Sequence, residues 1–298
     1  MKKIYHKKKL EELTIKDNFM FGAVMVDEEN CKQLLELILG ISIERVTVCK
    51  EKSLIYHPEY KGVRLDVIAN DENRTHYNVE MQARTEDELG RRSRYYHSQI
   101  DMELLLSGHG YDELPNAYVI FICDYDPFGK KKYSYTFKNC CEEDMSAELG
   151  DGSWSIFLST KGENDAEVPE SLVRFLKYVS ADLEDSQDDY EDEFVSRLQE
   201  DVRRVKSSRE LGERYMLWEE LLWRERKEGR EEGREEAREE ILESIKQTLR
   251  KILKEKDMLT EQVEEMFVSQ NDVAILQEWI VIAVKANSAK QFLEQIEQ

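Results

Sequence analysis

Proline, histidine and long apolar runs are all scarce in this chain. Four prolines in 298 residues argue against a proline-rich linker architecture and leave room for long helices. The five cysteines, Cys31, Cys49, Cys123, Cys140 and Cys141, include no CxxC pair and no Cys/His spacing of a zinc site. Such an odd set argues against a disulfide framework and fits a reducing compartment, so the expected location is cytoplasmic. No stretch is long and apolar enough to span a bilayer, and the basic opening, Met1 to Lys9, leads into no apolar segment of signal length. The expectation is a soluble protein without a membrane partner. What the chain does have is charge: 36% charged residues beside 40% hydrophobic ones describe a helix-rich globular protein with much solvated helical surface.

The net charge is −21, which by itself argues against nucleic acid, because nonspecific affinity comes mainly from Lys and Arg neutralising phosphates. Its distribution matters more. Residues 1–100 carry 17 basic and 17 acidic side chains, residues 101–200 carry 8 and 24, and the remainder carry 18 and 23. A locally basic groove fed by Arg64, Arg84, Arg91, Arg92 and Arg94 is therefore compatible with an overall acidic field. DNA binding through such a groove would be weak, or assisted by a partner.

The first hundred residues also hold the most telling pattern. Gly62-Val-Arg-Leu-Asp-Val-Ile-Ala69 alternates, Asn70-Asp-Glu-Asn73 turns the chain, and Thr75-His-Tyr-Asn-Val-Glu-Met-Gln82 returns it. This is a hairpin. With a side-chain period of two, Glu80 and Gln82 share one face of the second strand while Val79 and Met81 point to the other. Asp66 and Glu80 would then converge from neighbouring strands, a donor set that suits Mg²⁺ (or Mn²⁺ or Ca²⁺), a hard ion that takes one or two carboxylates and keeps water or phosphate elsewhere. The competing reading is a solvated acidic pair on a surface hairpin.

The string Gly62-Val-Arg-Leu-Asp66, then Tyr77-Asn-Val-Glu-Met-Gln82, then Arg91-Arg-Ser-Arg-Tyr-Tyr96 resembles the transposase-like, recombination-promoting branch of the PD-(D/E)xK nuclease superfamily over about half of the chain. The resemblance implies an α/β fold, a mixed central sheet flanked by helices, and metal-dependent DNA cleavage. It places Asp66 and Glu80 at the two motif acids and Gln82 where the general pattern has lysine. Glutamine can orient water or phosphate by hydrogen bonding but supplies no charge. Upstream, Leu13 to Phe21 resembles the family's entry to its first helix, where an acid completes the metal site; Asp17 is the candidate, with helix capping as its alternative role. Downstream, Arg92, Tyr96 and Gln99 fall on one face of a helix running from Glu88 to Ser107, facing either the site, the DNA or the core.

Along the rest of the chain, residues 19–39 read as one or two helices broken near Asp27 to Asn30 and closed by Gly40. Residues 44–50, 116–124, 133–140 and 155–158 read as strands, the second buried on both faces. Residues 1–180 form the expected nuclease-like domain, 181–193 an acidic linker, 194–257 a long charged helix and 258–298 a small helical segment. The centre of that helix, Glu228 to Glu240, repeats every four residues with no apolar seam, so it reads as a spacer and not as a coiled coil. Apolar stretches flanking it could pair chains into a homo-oligomer. Two functions compete: a Mg²⁺-dependent endodeoxyribonuclease associated with recombination or mobile DNA, and a non-catalytic interaction or regulatory protein on a degenerate nuclease scaffold.

Overall fold

The structure, a computed structural model, describes residues 8–49, 52–54, 63–105 and 107–296. These divide into two compact units, Met1–Tyr215 and Met216–Gln298.

In the first unit, β-branched and aromatic runs become strands: β1 (Val46–Cys49), β2 (Lys52–Leu54), β3 (Val63–Leu65), β4 (Val67–Asp71), β5 (His76–Gln82), β6 (Ala117–Cys123), β7 (Ser134–Phe137) and β8 (Ser153–Ser159). Six of them form one sheet in the order β1-β4-β5-β6-β8-β7. The pairs β5/β6 and β6/β8 are parallel, and the others are antiparallel. The chain between β5 and β6 holds α3 (Leu89–Leu104), the crossover that a parallel pair requires. Helices α1 (Asn18–Met25), α2 (Glu28–Leu39), α4 (Glu170–Ser180) and α5 (Glu193–Ser207) complete the unit, α1 contacting β5 and α2 contacting β1. The expected α/β class, a mixed sheet flanked by helices, is what forms.

Local chemistry explains the boundaries. Asp27 separates α1 from α2 because its carboxylate accepts the N–H groups of Glu29 and Asn30 and so starts a new helix. Gly40 closes α2 at φ 66°, a left-handed conformation that glycine adopts without a Cβ clash. In the hairpin, Asp71 Oδ1 accepts from the N–H groups of Asn73 and Thr75, which fixes the turn between β4 and β5. Leu89, Tyr96 and Ile100 of α3 pack on Ile68, Val119, Phe121 and Phe157, so α3 covers the sheet face that also carries Asn78, Glu80 and Gln82.

Three expectations need revision. The single strand read from Gly62 to Ala69 is two: β3 pairs with β2 in a separate small sheet, and Asp66 sits at a bend before β4 joins the main sheet. Gly62 itself lies outside the described residues. The acidic stretch read as a linker joins α4 to α5 within the first unit, held by Gln199, whose amide donates to the carbonyls of Ser186 and Asp188. The long helix read as starting near Phe194 is interrupted at Ser208, whose hydroxyl accepts from Leu211 N–H and starts α6 (Arg209–Glu255).

The second unit is helical throughout its described part. The later turns of α6 pack with α7 (Glu261–Ser269), α8 (Val273–Lys285) and α9 (Ala289–Ile296) around Leu249, Leu253, Met258, Val263, Phe267, Leu276, Ala283 and Phe292. Lys256 Nζ donates to the carbonyls of Ala283, Val284 and Ala286 at the end of α8, placing a cation where the helix leaves acceptors unpaired. Earlier in α6, the described side chains from Trp223 to Ile241 are exposed. No described helix is long and apolar enough to cross a membrane.

Candidate active site

Asp66 and Glu80 meet because the β4/β5 register pairs Val67 with Val79, which brings the next residue in each direction opposite the other. The bend at Asp66 turns its backbone N–H onto Glu80 Oε1 (3.2 Å), while Asp66 Oδ2 accepts the N–H of Met81 (3.1 Å). The two acids are thus laced together through each other's strands. Glu80 is almost wholly buried, with 1% exposure. Burial, and after it the negative charge of Asp66, push its carboxyl well above the usual carboxylate range, and the nearby Arg92 offsets this only in part.

Gln82 ends the same face of β5 and is also buried. From α3, Arg92 reaches across to this face: Nη2 donates to Glu80 Oε2 (3.3 Å), Nη1 lies 3.4 Å from Gln82 Oε1, and Nε donates to Tyr96 OH (2.8 Å). Its fourth partner is Glu86, on the loop between β5 and α3, which accepts a charge-assisted bond from Nη1. The guanidinium carbon stands 5.1 Å from the Tyr96 ring and 5.9 Å from that of Phe121, so the cation rests on aromatic faces. Tyr96 is buried and stacks on Phe121, and burial together with the Glu80 charge holds its hydroxyl above its ordinary range. Tyr96 therefore serves the core and the site at once. Gln99, one turn further along α3, is buried too.

Asp17 occupies the N-cap position of α1 but makes no side-chain capping bond there. Its two carboxylate oxygens accept from Lys8 Nζ and from the Thr14 N–H, both at 2.8 Å. The contact from this segment to the paired acids comes from the next residue, Asn18, whose amide donates to Asp66 Oδ2 at 3.3 Å. Asn78 also joins the site: fully buried, it donates to Glu80 Oε1 (3.3 Å) and leaves its own Oδ1 without a hydrogen-bond partner. Period-two alternation back from Glu80 reaches Asn78, so that residue was within reach of the sequence pattern. Asn18 and Glu86 had no such signal.

The donor set is hard oxygen throughout: two neighbouring carboxylates, with an orphaned amide oxygen on the residue that touches one of them. A divalent cation fits this chemistry, since it would relieve the repulsion that now favours a protonated Glu80 and would leave other positions for water and phosphate. Among the described residues no group of three or more His, Cys, Asp or Glu side chains is arranged to hold an ion.

A family model described as PD-(D/E)XK nuclease family transposase matches residues 15–228, more than half of the chain, and the chain belongs to that family. The matched span contains all of the residues assembled here. No curated protein and no solved structure matches the chain.

Proposed function

We propose that this member of the PD-(D/E)XK nuclease family is a metal-dependent DNA endonuclease whose divalent ion, Mg²⁺ or Mn²⁺, is held by Asp66 and Glu80. The observation that carries this reading is the pairing of Asp66 with the buried Glu80, whose ionisation is made costlier by burial and then by the Asp66 charge. Burying an acid beside a second acid costs stability unless something positive is bound there, and a perturbed carboxylate of this kind is common at functional sites. When bound, the ion would supply an activated water and charge neutralisation at phosphorus.

The chain's own residues divide the remaining work. Asp66 is oriented by the Met81 N–H and the Asn18 amide, which leaves its carboxylate preorganised for a cation. Asn78 and the Asp66 N–H fix Glu80 Oε1. Gln82 orients water or phosphate by hydrogen bonding and buttresses Arg92. Asp17 fastens the entry loop through Thr14 and Lys8, and we assign it no ligand role.

A plasmid-nicking assay with Mg²⁺ or Mn²⁺ tests this. Wild type should convert supercoiled DNA to nicked or linear forms, and Asp66→Ala should lower the rate by roughly a hundredfold or more, as expected when a preorganised electrostatic group is removed. Equal cutting by the two proteins would place the activity elsewhere. The degenerate-scaffold reading, which the glutamine at position 82 favours, calls for no cutting by either protein and no Asp66-dependent heat on Mn²⁺ titration.

A further inference from the structure

Gln82 leaves the site without the cation that a lysine would bring, yet a cation is present at that spot from another element. We infer that Arg92 is the residue that receives the phosphodiester of the nucleic acid, and that Glu86 occupies Arg92 as a carboxylate stand-in which the incoming phosphate must displace. The inference rests on the nuclease reading above and adds to it a substrate-binding residue and an internal competitor.

Three observations carry it. Arg92 is anchored from behind: its Nε is spent on Tyr96 OH, its carbon lies near the Tyr96 and Phe121 rings, and Nη2 is directed at Glu80. Its remaining bonds, from Nη1, go to Gln82 and Glu86, and of these partners Gln82 is buried while the Glu86 side chain is 48% exposed. Glu86 is thus the partner that can leave toward solvent. A guanidinium N–H donates to carboxylate and phosphate oxygens alike, so the Glu86 oxygen on Nη1 marks where a phosphate oxygen would sit. The loop that carries Glu86 ends at Glu88, a non-glycine residue in the left-handed region (φ 67°) at the N-cap of α3.

The electrostatic consequence follows. With Glu86 in place the mouth of the site presents a carboxylate, which repels a polyanion, and with Glu86 moved it presents a guanidinium. Removing the charge of Glu86 should therefore favour DNA, provided Arg92 is there to receive it. A general surface acid would act in the same direction with or without Arg92, which allows the two cases to be separated.

The test is a mutant cycle on the full chain, reading binding of a short fluorescent DNA duplex in Ca²⁺ by anisotropy, with Mg²⁺ nicking measured in parallel. Glu86→Gln should tighten binding by about fivefold to tenfold, and Arg92→Ala should weaken it by about tenfold or more, with Arg92→Lys in between because it keeps the charge and loses the fork. In the Arg92→Ala background the gain from Glu86→Gln should vanish; should Arg92→Ala not fold, the same comparison in Arg92→Lys should show the gain reduced. A wild type that binds DNA while Glu86→Gln leaves affinity unchanged, or tightens it equally without Arg92, overturns this inference alone. A wild type that neither binds nor nicks overturns the nuclease reading, and this inference falls with it.

Discussion

The core around the sheet of the first unit and the helical core of the second solve burial in opposite ways. The cluster formed by α6 to α9 is made of Leu, Val, Met, Phe and Ala, and its cations stay at the rim, where Lys256 closes the end of α8. The layer between the sheet and α3 instead buries Asn78, Glu80 and Gln82 of β5 and Ser93 and Gln99 of α3 beside Phe121 and Tyr96. Polar groups removed from water cost free energy unless paired, and a buried carboxyl without a full partner costs more. A face that keeps Glu80 dry beside Asp66 gives up stability that the second core retains. The difference is what the proposed site in the first unit requires, and it is read without reference to any motif.

Glu80→Gln bears on this contrast most directly. The variant should lose Mg²⁺-dependent nicking by roughly a hundredfold or more, yet its metal-free fold should be the more stable one at neutral pH. The sign follows from the raised carboxyl. Because the folded protein holds the Glu80 proton more tightly than the unfolded chain does, wild-type stability is greatest below the unfolded value near 4.5 and declines as pH rises toward the folded value. Thermal unfolding in EDTA between about pH 5 and pH 8 should show wild type losing stability relative to Glu80→Gln as pH increases. Parallel curves would mean that Glu80 carries no burial penalty, and the contrast between the two cores would lose its basis.

The second core breaks in the ordinary way. Phe267→Ala removes a fully buried ring from the apolar cluster and should cost about 3–5 kcal/mol, through lost transfer energy and the cavity left behind. The loss should appear as early exposure of the amides of α7 to α9 in hydrogen exchange, while nicking by the first unit continues. Loss of cleavage in this variant would show that the helical unit supports the site, and the functional separation drawn here would fail.

The sequence showed much of this arrangement because its patterns are local. The alternation around Val67 and Val79 located the hairpin, the unbroken apolar run of β6 marked a strand covered on both faces, and i, i+4 spacing put Arg92 and Tyr96 on one face of α3. What it hid depends on three dimensions. The bend at Asp66 lies inside a run with continuous strand character, and only pairing with β2 on one side and β5 on the other separates β3 from β4. Asp17 and Asn18 are equally polar neighbours, and the orientation of α1 decides that Asn18 reaches Asp66 while Asp17 turns to Thr14. Glu86 reads as one more acid in a charged loop until the guanidinium beside it is seen. The acidic run from Asp182 to Glu193 looks like a linker by composition, but its main-chain carbonyls are acceptors, and Gln199 uses them to tie the run to α5.

The smallest effect tests the part of the chain that belongs to neither core. Gly229 and Gly233 lie in the exposed charged stretch of α6, and a Cβ added at either would meet no atom within 4 Å. Alanine there avoids the backbone entropy that glycine loses on entering a helix, so Gly229→Ala and Gly233→Ala should each stabilise this stretch by up to about 1 kcal/mol. Hydrogen exchange across residues 224–240 should slow, because opening of a solvated helix is governed locally. Nicking and the pH dependence of unfolding should not change, since neither glycine approaches another side chain. If instead cleavage falls as the helix stiffens, the two glycines are there to keep α6 pliable, and the charged stretch is a working hinge with a role in the reaction.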